Sequence, residues 1–155
     1  MSRVWGLLRA ARSMSGAEWL EIADAQRALL IAQVLVWFRP VGRLIEPSIQ
    51  GSPATAWGAT EQLAAERLAR ALNRAASYGI LRPQCLVRAL ALTRLLQSRG
   101  IAGSRIRIGV RWEPRTGARE AFAAHAWVEY RGELVGTSYD SVSKFVPFDR
   151  LAEAT

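Results

Sequence analysis

The chain has 155 residues, the size of a single domain with or without a helical extension, and half of them are hydrophobic, which excludes wholesale disorder. One cysteine and one histidine exclude an internal disulfide, a Cys/His zinc site and any mechanism that needs two histidines. The net charge of +8 comes from arginines scattered along the whole chain, without a tight run or interleaved aromatic residues, so the sequence does not favour nucleic-acid binding. No spacing of the acidic residues indicates a metal site.

The first 14 residues are basic and partly apolar, but they have neither the apolar core nor the clear cleavage site of a signal peptide. The longest apolar run, residues 28–38, is interrupted by Gln33 and is shorter than the roughly 20 residues that a membrane-spanning helix needs. It favours a buried helix over the alternative, a membrane-surface helix flanked by Arg27 and Arg39. Because an unpaired cysteine is usual in the cytoplasm, we expect the protein there.

Two long helices are predicted in the first half of the chain. Ser15 and Gly16 can cap a helix over 17–38, and the proline that follows ends it. Residues 50–59 contain two glycines and a proline and predict a linker. Thr60 then caps a second helix, which runs to about residue 77.

The third helix is predicted to begin near Pro83 and to stop at Gly100, since proline suits the first turn of a helix and glycine its end. Its apolar residues recur at helical spacing, and Cys85 shares their face. After residue 100 the apolar residues recur at every second position instead of at helical spacing.

Alternating residues predict a half-buried strand over 106–112, a turn over 113–117, a second strand over 122–130 and a third over 134–138. Helices followed by an antiparallel sheet predict an α+β fold, in which the third helix packs on a small sheet.

Cys85 lies where the sequence predicts stabilisation of an anion. The free backbone N–H groups and the dipole at a helix start stabilise a negative charge, and the thiolate is the reactive form of cysteine. The adjacent Gln84 is a candidate hydrogen-bond donor to an oxyanion. The alternative for a lone cysteine at helical spacing is a small hydrophobic residue of the core.

His125 lies on the second predicted strand, on the same face as Trp127 and Glu129 and opposite the residues expected in the core. It therefore lies either at a cleft or beneath a helix. A cysteine at a helix start opposite a histidine on a neighbouring strand is the geometry of a Cys–His nucleophile pair. A structural histidine, satisfied within the fold, is the alternative.

A third group usually orients the histidine of such a pair. A three-residue loop before the third strand places Thr137 opposite His125, and a two-residue loop places Ser138 there. Neither side chain is a carboxylate. Asp140 is the nearest downstream acid and reaches back if the chain bulges.

Three segments together point to one family: CLVRALAL at 85–92, LLQSRGI at 95–101 and AHAWVE at 124–129. They resemble the leader peptidases of lasso-peptide biosynthesis, the B-type proteins of the transglutaminase-like, papain-like cysteine protease superfamily. The match covers about residues 79–151, and an apolar helical region like 18–38 is also found in the family. The two motifs are fairly specific as a pair, and neither is specific alone.

The resemblance implies a transglutaminase-like cysteine peptidase domain over 51–155, after an N-terminal helical region over 1–50, the two forming one compact unit. It implies that Cys85 is the nucleophile, that His125 is its general base and that no cofactor is needed. The implied substrate is a ribosomally made precursor peptide, cut between its leader and its core.

No β-rich recognition domain precedes the helices, so the chain resembles the stand-alone form of the peptidase. That form implies two partners besides the precursor leader. One is a separate leader-recognition protein, and the other is an ATP-dependent cyclase that closes the macrolactam ring.

The sequence departs from the family at one site position, because Thr137 aligns where an aspartate is usual. A hydroxyl can accept a hydrogen bond from the imidazole, but it cannot stabilise imidazolium by charge; in a serine protease triad, loss of the acid costs about 10⁴ in kcat. Three possibilities stay open: Asp140 substitutes, Thr137 suffices at a reduced rate, or the protein is weakly active or inactive. A transglutaminase-like acyl transferase and a catalytically weak peptide-binding module are the alternative functions.

Overall fold

The computed structural model describes residues 15–40, 42–43, 58–79, 81, 83–113 and 121–148 of the chain. The helices are α1 (Gly16–Phe38), α2 (Ala59–Tyr78), α3 (Cys85–Ser98) and the short α4 (Tyr139–Val142). The strands are β1 (Ser104–Glu113), β2 (Ala121–Tyr130), β3 (Glu133–Val135) and β4 (Val146–Pro147). Three long helices thus precede a small antiparallel sheet, which confirms the predicted α+β fold.

Some predictions fall on other parts of the chain. Residues 1–14, most of the predicted linker over 50–59, most of the predicted turn over 113–117 and the predicted domain boundary after residue 50 lie outside the described residues.

A capping box begins α1. The Ser15 hydroxyl accepts a hydrogen bond from the backbone N–H of Glu18 at 3.3 Å, and the Glu18 carboxylate accepts one from the backbone N–H of Ser15 at 2.8 Å. The helix ends at Phe38 because Arg39, which precedes a proline, is extended (φ −128°, ψ 141°). The predicted first helix is therefore confirmed, with one more residue at its start.

A single stripe of α1 is buried against the rest of the fold. Its buried residues are Ala25, Ala28, Leu29 and Ala32. By contrast, Trp37 and Phe38 are 69% and 80% exposed. The prediction that the apolar run 28–38 is a buried helix is therefore wrong for one face, because α2 and α3 cover only the other. Among the described residues, no helix combines the length and apolar character that crossing a membrane requires.

The other long helices begin close to their predicted starts. Gly58, and not Thr60, caps α2, and it does so without a side-chain hydrogen bond. α3 begins at Cys85 because Gln84 is extended (φ −70°, ψ 166°), and the Arg88 N–H donates to the Gln84 carbonyl at 3.1 Å. Cys85 is therefore the first residue of α3, where a backbone N–H has no intrahelical acceptor.

α3 is the central helix, because it packs against α1, α2, β1 and β2. Eight of its 14 residues are buried. The sheet contributes one face to the same core, through Ile106, Ala126, Val128 and Tyr130. Tyr130 also donates a hydrogen bond to Glu61 of α2 at 3.2 Å. This burial of apolar surface fixes the first turn of α3 relative to the sheet.

The strand order is β3-β2-β1-β4. β1 and β2 pair over their whole length, with Gly109 opposite His125. A two-residue loop joins β2 to β3, in which Arg131 (φ 51°) and Gly132 (φ 90°) are both left-handed, as a tight hairpin turn requires. Of the two registers that the sequence leaves open, the structure therefore has the two-residue one.

β3 is shorter than predicted at its carboxyl end. Its pairing with β2 ends at Val135 opposite Val128, and Gly136 (φ 74°) turns the chain away. A Cβ atom at Gly136 would lie 3.0 Å from the Cβ of Ala69 on α2, so a side chain there would crowd α2 as well as strain the left-handed backbone. The predicted strand over 134–138 is thus wrong after residue 135, and neither Thr137 nor Ser138 pairs with His125 across the sheet.

Candidate active site

A cleft of about 400 Å³ lies at the first turn of α3, beside the point where β3 leaves the sheet. Both Cys85 and His125 line it, so the structure brings the predicted pair into one cavity. The other polar side chains in its lining are those of Asn73, Arg88, Thr137, Ser138 and Ser141.

Cys85 is half-buried, with its side chain packed at the edge of the core. Its position at the start of α3 places it next to backbone N–H groups that have no intrahelical partners. Gln84 immediately precedes it, is exposed and makes no side-chain capping bond. Gln84 is not among the described residues that line the cleft, and its role as an oxyanion donor stays a prediction.

The imidazole of His125 has an aromatic residue on each of two sides. Its ring centroid lies 5.2 Å from that of Phe145 and 6.2 Å from that of Trp127, whose plane is tilted by only 23° from the imidazole plane. These contacts restrict the rotation of the ring and leave it half-buried beside the cleft.

Burial lowers the pKa of His125 below its usual value of 6.5, and the positive charge of Arg88 lowers it further. At neutral pH the imidazole is therefore uncharged. An uncharged imidazole can accept a proton from a thiol, which is the role of a general base.

Trp127 is held in place by a short chain of hydrogen bonds. Its Nε1–H donates to Glu129 Oε1 at 2.9 Å, and Glu129 Oε2 accepts from Arg107 Nε at 3.0 Å. A Cβ atom at Gly109 would lie 2.8 Å from the indole and 3.0 Å from Phe145, so the absence of a side chain there makes room for both rings. Glu129 thus forms an ion pair with Arg107 and also fixes the ring beside His125.

The structure separates the candidates for the third site residue. Thr137 and Ser138 line the cleft, and the Ser138 and Ser141 hydroxyls lie 2.8 Å apart. Asp140 is exposed on α4 and is not among the lining residues. The orienting role of Asp140 or of Thr137 stays a prediction.

Sequence reasoning missed a hydrogen-bonded link on one side of the cleft. Arg88 Nη2 donates to Asn73 Oδ1 at 2.5 Å, and Asn73 Nδ2 donates to the Gly136 carbonyl at 3.1 Å. This link ties α2, α3 and the segment after β3 together. One signal was available, because asparagine is a poor helix former that stands in the middle of the alanine-rich α2.

These features together define an α+β protein with a helix-start cysteine and a strand histidine in one cleft. The model of the transglutaminase-like superfamily matches residues 28–148, well over half of the chain, so the chain belongs to that superfamily. Its members are generally cysteine proteases or transferases. Searches of the curated proteins and of the solved structures each found no match to this chain.

Proposed function

We propose that this protein is a cysteine peptidase that removes the leader from a ribosomally made precursor of the lasso-peptide type. The observation that carries the proposal is the shared cleft of Cys85 and His125, within a domain of a superfamily that performs cysteine protease and acyl-transfer chemistry. The lasso-type substrate is supported only by the resemblance of the motifs over 85–101 and 124–129.

In the proposed reaction, His125 accepts the thiol proton and Cys85 Sγ attacks the scissile carbonyl carbon. Backbone N–H groups at the start of α3 stabilise the oxyanion. The tetrahedral intermediate collapses, the C–N bond breaks, and His125 returns the proton to the leaving amine. Water then hydrolyses the thioester and releases the leader with a carboxylate.

The imidazole in this scheme is oriented by its surroundings. Phe145 and Trp127 flank the ring, and Thr137 is the cleft hydroxyl whose position in the sequence matches the usual acid. If Thr137 accepts from the imidazole N–H, the site runs without a carboxylate and more slowly than a full triad. Asp140 would have to move from its exposed position on α4 to do the same.

The proposal includes two partner proteins, a separate leader-recognition protein and a macrolactam-forming cyclase. The cyclase would act after the peptidase, because cleavage frees the amine that a ring closure consumes. Both partners follow from the family resemblance alone.

The first test is the rate of Cys85 alkylation by iodoacetamide over about pH 5 to 9, in the wild type and in His125→Ala. Since the chain has a single cysteine, mass spectrometry follows one residue. At neutral pH we expect Cys85 to be alkylated faster in the folded wild type than in the urea-unfolded chain, and we expect the variant to lose that difference. Ordinary reactivity in both proteins contradicts an assembled Cys–His pair.

The second test separates the reactions. A lasso-type precursor is incubated with the protein and a leader-recognition partner, with Cys85→Ala as the control. Hydrolysis adds the mass of water to the cleaved products, whereas acyl transfer adds the mass of the amine. Unchanged function in Cys85→Ala would instead indicate a peptide-binding module.

A further inference from the structure

Among the described residues that line the cleft, a single side chain has a permanent charge, that of Arg88. Burial favours the uncharged form of His125 by lowering its pKa. Its lining contains no aspartate or glutamate among the described residues. A peptide that enters this cleft therefore meets a positive charge close to the thiol.

The charge of Arg88 is held in place but is not neutralised. Its Nη2 donates to Asn73, a neutral side chain, and no described carboxylate pairs with it. Other arginines of the fold do have carboxylate partners, such as Arg67 with Glu21 at 2.7 Å. A guanidinium has five N–H donors, so the bond to Asn73 leaves most of them available to a ligand.

Arg88 also lies on the same helix as the nucleophile. It follows Cys85 by three residues on α3, and residues at that spacing lie next to each other on a helix surface. It lines the same cleft as His125, and its positive charge contributes to lowering the pKa of that imidazole. A group bound to the guanidinium would therefore lie close to both members of the pair.

We propose that Arg88 forms a carboxylate-binding subsite, so that the protein selects peptides carrying a carboxylate next to the bond that Cys85 attacks. The fork of N–H groups matches a carboxylate in geometry, and an uncompensated charge in a concave site makes binding of an anion favourable. This inference rests on the proposed function for its peptide substrate, but its test does not need that substrate.

The test compares two alkylating reagents of similar size, iodoacetate, which carries a carboxylate, and iodoacetamide, which is neutral. In both cases Cys85 Sγ displaces iodide from a CH₂ group, and the thiol proton passes to the solvent. The measured quantity is the ratio of the two rates in the folded protein, divided by the same ratio in the urea-unfolded chain. At about pH 8 the imidazole of His125 is uncharged, so it does not favour the charged reagent over the neutral one.

We expect folding to raise this ratio about fivefold in favour of iodoacetate, the size of one charge pair about 4 Å apart. Arg88→Gln should remove most of the preference, and Arg88→Lys should keep part of it. Arg94→Gln is the matched control, because Arg94 is exposed on the same helix and its loss changes the net charge equally. An equal drop of the iodoacetate preference in both glutamine variants would overturn the subsite, because the preference would then come from the overall charge of the protein.

Loss of the bond to Asn73 could itself disturb the fold of Arg88→Gln, so thermal unfolding of each variant is measured first. A second measurement uses the wild type alone. In about 1 M NaCl, where the Debye length is about 3 Å, the preference for iodoacetate should shrink towards that of the unfolded chain. A folded wild type without any preference at low salt shows that Arg88 only braces the helices.

A competition experiment identifies the source of the carboxylate. Capped Gly-Asp-Gly, capped Gly-Asn-Gly and Gly-Gly-Gly with a free carboxyl end are each tested for protection of Cys85 from iodoacetamide. If the aspartate peptide protects Cys85 in the wild type but not in Arg88→Gln, the bound carboxylate is that of an acidic side chain. If Gly-Gly-Gly with a free carboxyl end protects it, the bound carboxylate is that of a chain end. Equal protection by the first two overturns the proposal.

The two proposals fail differently. If alkylation does not depend on His125, the peptidase proposal fails while the reagent ratio can still be measured. If His125 matters and the ratio does not depend on Arg88, the carboxylate subsite alone fails.

Discussion

The two faces of the second half of β2 make different kinds of contact. On one face Ala126 and Val128 pack in the apolar core against α3. On the other, His125 lies between aromatic rings, and Trp127 is hydrogen-bonded to Glu129. Apolar packing stabilises in proportion to the area buried and has no direction, whereas the contacts of the second face fix the orientation of particular groups. Substitutions on the two faces should therefore separate stability from reactivity.

The largest effect is expected at His125, on the directional face. His125→Ala removes the proposed base, and loss of such a group lowers kcat by about 10³-fold or more. Because the side chain is only half-buried, the thermal midpoint should change little. The measurements are cleavage kinetics and calorimetry. A variant that unfolds at a much lower temperature would show that this face is structural after all.

Gly109→Ala is expected to disturb the directional face through packing. The new Cβ would lie 2.8 Å from the Trp127 ring and 3.0 Å from Phe145, and overpacking of this kind costs about 2 to 3 kcal/mol. Urea unfolding measures the cost, and Cys85 alkylation should slow because His125 stacks on the displaced ring. Gly16→Ala is the control, since its added atom contacts nothing within 4 Å.

Val128→Ala tests the core face. The side chain is 2% exposed, and its loss should cost about 2 kcal/mol in the free energy of unfolding. Because Val128 also lines the cleft, the rate of Cys85 alkylation in the folded variant is measured as well, and it should change much less than in His125→Ala. Val146→Ala, at a position 47% exposed, should cost less than about 0.5 kcal/mol. A loss of alkylation in Val128→Ala as large as that in His125→Ala would mean that the two faces are coupled.

Glu129→Gln should have a smaller effect. It removes the charge that faces Arg107 but keeps an oxygen that can accept from the Trp127 N–H. A partly exposed ion pair contributes about 0.5 to 1 kcal/mol, and that contribution falls with added salt. Urea unfolding at low and high salt checks this. An equal loss of stability at both salt concentrations would indicate that hydrogen-bond geometry, rather than charge, is lost.

The smallest effect is the pH dependence of stability from His125. Its pKa is lower in the folded protein than the usual 6.5, so between the two values the unfolded chain binds more protons. Stability contributed by this group is therefore complete above about pH 6.5 and decreases as the pH falls through the folded value. Urea unfolding over about pH 5 to 7 should show a positive slope that His125→Gln reduces. A steeper dependence of the free energy of unfolding on pH in His125→Gln would contradict a lowered pKa of His125 in the folded protein.

Much of the local structure could be predicted from the sequence. Three features depend on neighbouring residues alone: the start of α1 at Ser15, the period of two in β1 and β2, and the short turn at Gly132. The helix start, the strand and the uniqueness of both residues made Cys85 and His125 a candidate pair, and the family resemblance implied their roles. The structure places both at one cleft.

The sequence by itself determined the order of the elements, the positions of the cysteine and the histidine within them, and the alternation that sets the core face of β2. Only the tertiary structure decided where β3 ends, since Gly136 turns away against Ala69 of α2. It also decided that Arg88, Asn73 and Gly136 meet beside the thiol. Local patterns encode what neighbouring residues do to the backbone, whereas these contacts join residues 15 to 67 positions apart and exist only once the helices have packed on the sheet.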